Sequence, residues 1–181
     1  MRKIAFLFPG QGSQYVGMGR ALFDADPEAR RLFQEAEAVT GLPLMRLCFE
    51  GPLEELTETV NLQPAVTMVN LAVCHALRRA GVNPDFVAGH SLGEYSALCA
   101  AGVLSEADTL RAVTQRGRVM QREAQRHPGA MAAVIGLSRA QLEELLAPFR
   151  ARGPLALANF NTPEQIVISG AKDLIAAAVE A

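Results

Sequence analysis

A chain of 181 residues with a formal net charge of −2, half apolar and a fifth charged, is long enough to bury a core. It lacks the basic excess that would hold a nucleic acid through counterion release. The opening Met1-Arg2-Lys3 is followed only by Ile4 to Phe8 before Pro9-Gly10, too short for a signal-peptide core, and no stretch reaches membrane-spanning length without a charge or a Pro/Gly break.

Taken in chain order, the apolar pattern alternates strands and helices, the mark of an α/β fold with a mostly parallel sheet. Lys3 to Phe8 reads as a first buried strand, followed by a glycine-rich loop to Gly19. Asp26-Pro27 has the form of a helix cap with proline at the first helical position, opening a helix to about Thr40. A long apolar helix is expected from Pro64 to Ala80, with Arg78 and Arg79 at the end where cations suit the helix dipole. Gly81-Val82-Asn83-Pro84 breaks it and leads into the strand Phe86-Val87-Ala88, after which a helix-like run extends from Glu94 to Ala101. Ser105-Glu106-Ala107-Asp108 resembles a capping box, starting a helix to about Gln125 that carries Arg111, Arg116, Arg118 and Arg122.

Around His127-Pro128-Gly129 the texture changes, dividing the chain into residues 1–126 and 127–181. The second part reads as a strand (Ala130 to Gly136), a capped helix (Ser138 to Phe149), a strand (Leu155 to Phe160), a turn at Asn161-Thr162-Pro163, a strand (Gln165 to Ser169) and a helix from Ala171. This β-α-β-β-α order is one strand short of the split β-α-β unit of ferredoxin-like folds.

Between the strand ending at Ala88 and the helix from Glu94 lies Gly89-His90-Ser91-Leu92-Gly93. A G-x-S-x-G turn in this context is a nucleophile elbow: the serine hydroxyl is pushed clear of the backbone, and the amides opening the helix face whatever it attacks. A serine also needs a base. His90 adjoins Ser91 but points elsewhere as its chain neighbour; His75 lies in the apolar helix as a satisfied core or boundary residue; His127 sits solvated at the break. None of the three histidines forms a zinc-spaced pair, and the scattered Cys48, Cys74 and Cys99 form no C-x-x-C. No metal is expected, and the reducing cytoplasm is the expected compartment.

Several motifs occur in order: Phe8-Pro9-Gly10-Gln11-Gly12-Ser13-Gln14, Leu62-Gln63-Pro64-Ala65, Gly89-His90-Ser91-Leu92-Gly93-Glu94-Tyr95, Gln115-Arg116-Gly117-Arg118-Val119-Met120-Gln121, Gly129-Ala130-Met131-Ala132-Ala133, and Asn159-Phe160-Asn161-Thr162-Pro163 with Val167-Ile168-Ser169-Gly170. Together they resemble the malonyl-CoA:acyl-carrier-protein transacylases of bacterial fatty-acid synthesis, relatives of polyketide acyltransferase domains. The resemblance implies a hydrolase-like catalytic domain with an inserted ferredoxin-like subdomain, here incomplete. It implies Ser91 as the nucleophile, the backbone N–H groups of Gln11 and Leu92 as the oxyanion hole, Arg116 as the partner of the malonyl carboxylate, and His90 and Gln63 as substrate-binding residues. The substrate is then malonyl-CoA and the acceptor the phosphopantetheine thiol of an acyl carrier protein, with no permanently bound cofactor and a monomer at full length.

The resemblance covers this whole chain but not the whole family, whose catalytic histidine falls beyond residue 181. The sequence is therefore expected to be a truncated piece, poorly active alone. A serine thioesterase or esterase sharing the elbow, a polyketide-type acyltransferase domain, and a non-catalytic fragment are the competing readings.

Overall fold

A computed structural model describes residues 3–181; Met1 and Arg2, which open the expected first segment, lie outside the described residues. The chain separates into two compact units, Met1–Arg122 and Glu123–Ala181.

The first unit contains the strands β1 (Ala5–Phe8) and β2 (Phe86–Gly89), joined by helices α1 (Arg20–Ala25), α2 (Pro27–Thr40), α3 (Leu44–Glu50), α4 (Leu53–Thr57) and α5 (Thr59–Arg79); β2 is followed by α6 (Gly93–Ala100) and by α7 (Glu106–Arg126), which belongs to this unit as far as Arg122. β1 and β2 pair in parallel, with Phe6 opposite Val87 and Phe8 opposite Gly89. Such a pair needs a long crossover, and the five helices between the strands supply it. The main core gathers Leu32 and Phe33 of α2, Leu44 and Leu47 of α3, Leu56 of α4, and Leu62, Met68 and Leu71 of α5. Phe33 stacks on Phe49 with centroids 5.7 Å apart, and Phe23 meets both rings.

Three helices carry no clear signal in the sequence: α1, α3 and α4 are each too short to show an apolar period. The long helix also begins earlier than its proline suggests. It starts at Thr59, so Pro64 lies inside it, where it forfeits the bond to the Val60 carbonyl; burial of Leu62, Ala65, Val66 and Met68 offsets that loss. By length and composition α5 could cross a membrane, and 67% of its most apolar window is buried inside the protein. Its apolar character is that of a core helix.

Asp26 caps α2 as expected, accepting from the Glu28 N–H at 2.9 Å. It also pairs with Arg79 at the far end of α5, so that arginine cross-links two helices as well as facing a dipole. Arg78 donates to the Ala100 carbonyl at 2.5 Å and ties α5 to the end of α6. Cys48 and Cys74 are buried and Cys99 half-buried, all as free thiols. Burial pushes the Cys48 thiol up to about 12, which leaves it protonated and inert.

The second unit holds β3 (Gly129–Ile135), α8 (Arg139–Arg150), β4 (Leu155–Thr162), β5 (Gln165–Ala171) and α9 (Lys172–Glu180). Its antiparallel sheet has the order β3-β5-β4, three of the four strands of a split β-α-β unit. Leu142 and Leu146 of α8 and Ile175 and Ala178 of α9 cover one face, against Leu155, Ile166 and Ile168. Ser138 and Gln141 form a full capping box at α8. Asn161 and Thr162 belong to β4, so the turn narrows to Pro163-Glu164; register shifts between Leu157 and Asn159 and between Phe160 and Thr162 absorb the extra length.

The Arg79 guanidinium, together with the Glu28 amide, holds the Asp26 carboxyl below the usual carboxylate range. A depressed folded-state value contributes stability that is present above the ordinary carboxylate pKa and is lost as pH falls through the folded one. Asp26→Asn keeps a capping side chain and removes only the charge. It should lower the melting temperature at neutral pH, with the gap to the parent closing as the pH is taken below roughly 4, read by thermal unfolding across a pH series.

Candidate active site

The elbow is built by close backbone approach. β2 runs directly into α6, and Ser91 at the apex has φ 51°, the only left-handed non-glycine among the described residues. Such a conformation costs on the order of 1–3 kcal/mol and persists only where its surroundings enforce it. A Cβ at Gly89 would lie 2.0 Å from the Gly93 carbonyl carbon, and one at Gly93 would lie 2.0 Å from the Phe8 carbonyl oxygen. Both glycines of the motif are therefore steric necessities. The turn closes with the Gly93 N–H donating to the His90 carbonyl at 2.9 Å and the Glu94 N–H to the Ser91 carbonyl at 3.2 Å.

The glycine-rich loop after β1 lies against this turn. The place a Cβ would take at Gly10 is 2.5 Å from the His90 carbonyl oxygen and 3.5 Å from the Leu92 nitrogen. Gly10 to Ser13 forms its own turn: the Ser13 N–H donates to the Gly10 carbonyl at 3.3 Å, and the Ser13 hydroxyl donates to the same oxygen at 2.7 Å. Among the described residues, neither the Gln11 nor the Leu92 N–H donates to a protein acceptor. Leu92 is fully buried, while Gln11, His90 and Ser91 are exposed.

Arg116 approaches from α7. Its Nη2 donates to Ser91 Oγ at 3.1 Å, and its Cζ lies 5.8 Å from the Tyr95 ring centroid, within the range of a cation–π contact. The residue is half-buried, unlike the exposed Arg111 and Arg118 on the same helix. The α7 helix can come this close to α5 because of Gly117, where a Cβ would sit 2.9 Å from the Thr59 carbonyl oxygen.

Gln63 is fully buried in α5, and its Nε2 lies 3.2 Å from the Met120 sulfur, one turn after Arg116. Among the described residues its Oε1 has no protein partner, nor does the Thr67 hydroxyl one turn further along α5. His75 is a satisfied boundary residue, with Nε2 2.5 Å from Glu106 Oε1.

Three further residues take part whose role the sequence does not mark. Met120 falls four residues after Arg116 on the same face of α7, and that spacing was the available signal; Tyr95 lies in the first turn of α6, just after the elbow. The third is Asn70, buried on α5, which donates to the Pro9 carbonyl at 3.1 Å and to the Ser96 hydroxyl at 3.3 Å. It joins the β1 loop, α5 and α6, and nothing in its local sequence marks it.

A strained serine, a helix N-terminus, two unspent amides nearby and a permanent cation on the serine oxygen form a constellation suited to acyl transfer. Residues 5–181 match the acyl transferase domain. The chain belongs to that family.

It is 50% identical over 171 residues to the malonyl CoA-acyl carrier protein transacylase of Bacillus subtilis (strain 168), covering 94% of this chain and 54% of that protein. Among solved structures, the acyl-carrier-protein-S-malonyltransferase from Bartonella henselae superposes with a TM-score of 0.92 at 44% identity, over 99% of this chain and 58% of the other. A malonyl-transacylase in complex with a type II polyketide acyl-carrier protein gives a TM-score of 0.91 at 38% identity, with the same coverage. The chain thus spans about half the length of the curated relatives it matches.

Gly117→Ala should push α7 away from α5 and draw the guanidinium off Ser91. The expected loss is about 1–3 kcal/mol, the usual cost of forcing a methyl into a filled contact, read by denaturant unfolding. A variant of unchanged stability would show that the Thr59 contact relaxes without consequence.

Proposed function

We propose that this chain carries the acyl-serine site of a malonyl transfer from malonyl-CoA to the phosphopantetheine thiol of an acyl carrier protein, in cytoplasmic fatty-acid or polyketide synthesis. Family membership and the names of the relatives support the acyl-transfer class. The contact between Arg116 and Ser91 carries the choice of malonyl.

In the proposed reaction Ser91 Oγ attacks the thioester carbon and the C–S bond breaks. CoA leaves with the proton that the hydroxyl gives up, and the carrier-protein thiol then attacks the acyl-serine in the reverse sense. The charge developing on the carbonyl oxygen is met by the amides of Gln11 and Leu92, with the positive end of α6 behind them. His90 and Gln63 flank the acyl group, Gln63 acting from beneath Met120.

Chain length supports Arg116 as the carboxylate partner. In a malonyl ester the free carboxyl carbon is two C–C bonds of about 1.5 Å from the reacting carbon, so its oxygens fall within a few ångströms of Ser91 Oγ. A guanidinium already 3.1 Å from that oxygen can turn its planar fork onto the carboxylate without leaving the site. An acetyl group has nothing to offer it. The proton of Ser91 requires a base, and with His75 engaged by Glu106, turnover by these 181 residues alone is expected to be slow.

Intact-mass analysis after incubation with malonyl-CoA should show one malonyl adduct, absent in Ser91→Ala. Arg116→Ala should lower the rate of acylation by malonyl-CoA relative to acetyl-CoA by roughly ten- to a hundredfold, the equivalent of a lost hydrogen bond to a charged group. Hydrolysis of neutral short-chain esters, indifferent to that substitution, would instead favour a thioesterase or esterase.

A further inference from the structure

Gly10 is the loosest joint in the loop after β1, and it has to be. A Cβ there would lie 2.5 Å from the His90 carbonyl oxygen, so no side chain is admitted, and a residue without one restricts its own dihedrals least. Gln11 follows directly, and in the proposed reaction its N–H meets the oxyanion. Such a donor is effective only when its direction is set before the charge develops. Groups other than Gly10 must set it.

A peptide group is planar, and in the trans form its C=O and N–H point opposite ways. The Gly10 carbonyl and the Gln11 N–H share one such plane. Ser13 holds that carbonyl twice, its N–H donating at 3.3 Å and its hydroxyl at 2.7 Å. Fixing the oxygen toward Ser13 therefore fixes the Gln11 N–H in the opposite direction. The next plane is held as well, by the Gly12 N–H donating to Gln14 Oε1 at 2.8 Å.

The plane before Gly10 is held from outside the loop. Asn70 Nδ2 donates to the Pro9 carbonyl at 3.1 Å and to Ser96 Oγ at 3.3 Å. The proline ring already locks φ at that residue, so capture of its carbonyl leaves the Pro9–Gly10 plane little freedom. Asn70 is 8% exposed and Ser96 is fully buried, which keeps water from competing for these bonds. Ser96 lies on α6, the helix that opens just after Ser91, and a Cβ at Gly93 would sit 2.9 Å from the same Pro9 carbonyl oxygen. Asn70 thus registers the loop against the elbow helix.

We propose that Ser13 and Asn70 are positioning residues for the oxyanion donor: by holding the peptide planes on either side of Gly10, they aim the Gln11 N–H. Both act through the backbone. The proposal rests on the role given to Gln11 in the acyl-serine reaction, and one arm of its test needs no reaction at all.

That arm is the order parameter of the Gln11 amide from nitrogen-15 relaxation on this chain. It should be about 0.85 in the parent and below about 0.6 in Ser13→Ala, the values of rigid and flexible backbone, with the amides of α2 unchanged. The second arm is intact-mass kinetics with malonyl-CoA. Ser13→Ala should slow the maximal acylation of Ser91 by roughly ten- to a thousandfold, the upper end being outright loss of an oxyanion donor. The malonyl-CoA concentration giving half the maximal rate should stay within about threefold, since Arg116 is untouched. Ser13 is exposed, so the variant keeps its fold, and Ser13→Thr, which retains the hydroxyl, should restore both readouts. Asn70→Leu should act in the same direction; if burial of its unpaired partners unfolds it, the Ser13 variants decide alone. A Gln11 amide as ordered in Ser13→Ala as in the parent would overturn the proposal, and so would acylation slowed equally by Ser13→Thr and Ser13→Ala. A parent chain that is never acylated, yet loses Gln11 order in Ser13→Ala, would refute the acyl-serine reaction and leave the aiming of the amide in place.

Discussion

A serine held at φ 51° stays there because the strand before it and the helix after it are clamped together at distances no side chain permits. Gly89 lies on Gly93, and Gly93 lies on the carbonyl of Phe8. The second contact couples the elbow to β1, so the parallel pairing of β1 with β2 and the strain at Ser91 are one constraint. Gly10 extends it, bringing the loop after β1 against the His90 carbonyl and the Leu92 nitrogen. Side-chain volume is excluded along this whole line, and the freed space lets the loop after β1 lie against the turn that carries Ser91.

The second requirement is a fixed frame for the cation, and α5 supplies it. Asn70 ties α5 to the Pro9 carbonyl and to Ser96, Arg78 ties it to the end of α6, and Arg79 ties it to the cap of α2. At its other end the Thr59 carbonyl receives α7 at Gly117, which sets the distance of Arg116 from Ser91. The cost is visible in the same helix: Pro64 breaks the ladder, and Gln63 Oε1 and Thr67 Oγ1 are buried without a protein partner among the described residues. A helix this heavily buried can carry such defects because its apolar run from Leu62 to Leu71 is packed on several sides.

Much of this was legible in the sequence where the cause is local. The cap at Asp26-Pro27, the capping box at Ser138 and the elbow at Gly89 to Gly93 depend on residues a few positions apart, and each appears where the letters place it. The short helices α1, α3 and α4 were not legible, because one or two turns show no period and tertiary burial holds them. The start of α5 lies five residues before Pro64, where the expected helix begins, because the segment from Asn61 to Gln63 is buried too. At the site, Arg116 stood out by its place in a motif. Asn70 did not, since its partners at Pro9 and Ser96 are distant in sequence.

In the proposed reaction the groups around Ser91 divide between two tasks, and their chemistry explains the division. The amides of Gln11 and Leu92 are neutral dipoles, weak toward a ground-state carbonyl and strong toward an oxyanion; they favour the transition state over the substrate. Arg116 meets a carboxylate whose charge is the same before and after attack, so its pairing is uniform through the step. What it contributes is selection and placement: a bound carboxylate fixes the reacting carbon beside Ser91 Oγ, which lowers the entropy still to be lost at attack. Half-burial and the Tyr95 ring raise the value of that pairing by thinning the water around the guanidinium. A neutral acyl group entering the same place would displace that water without replacing its hydrogen bonds. Discrimination against such groups follows from the unpaired cation they leave behind as much as from any attraction to malonate.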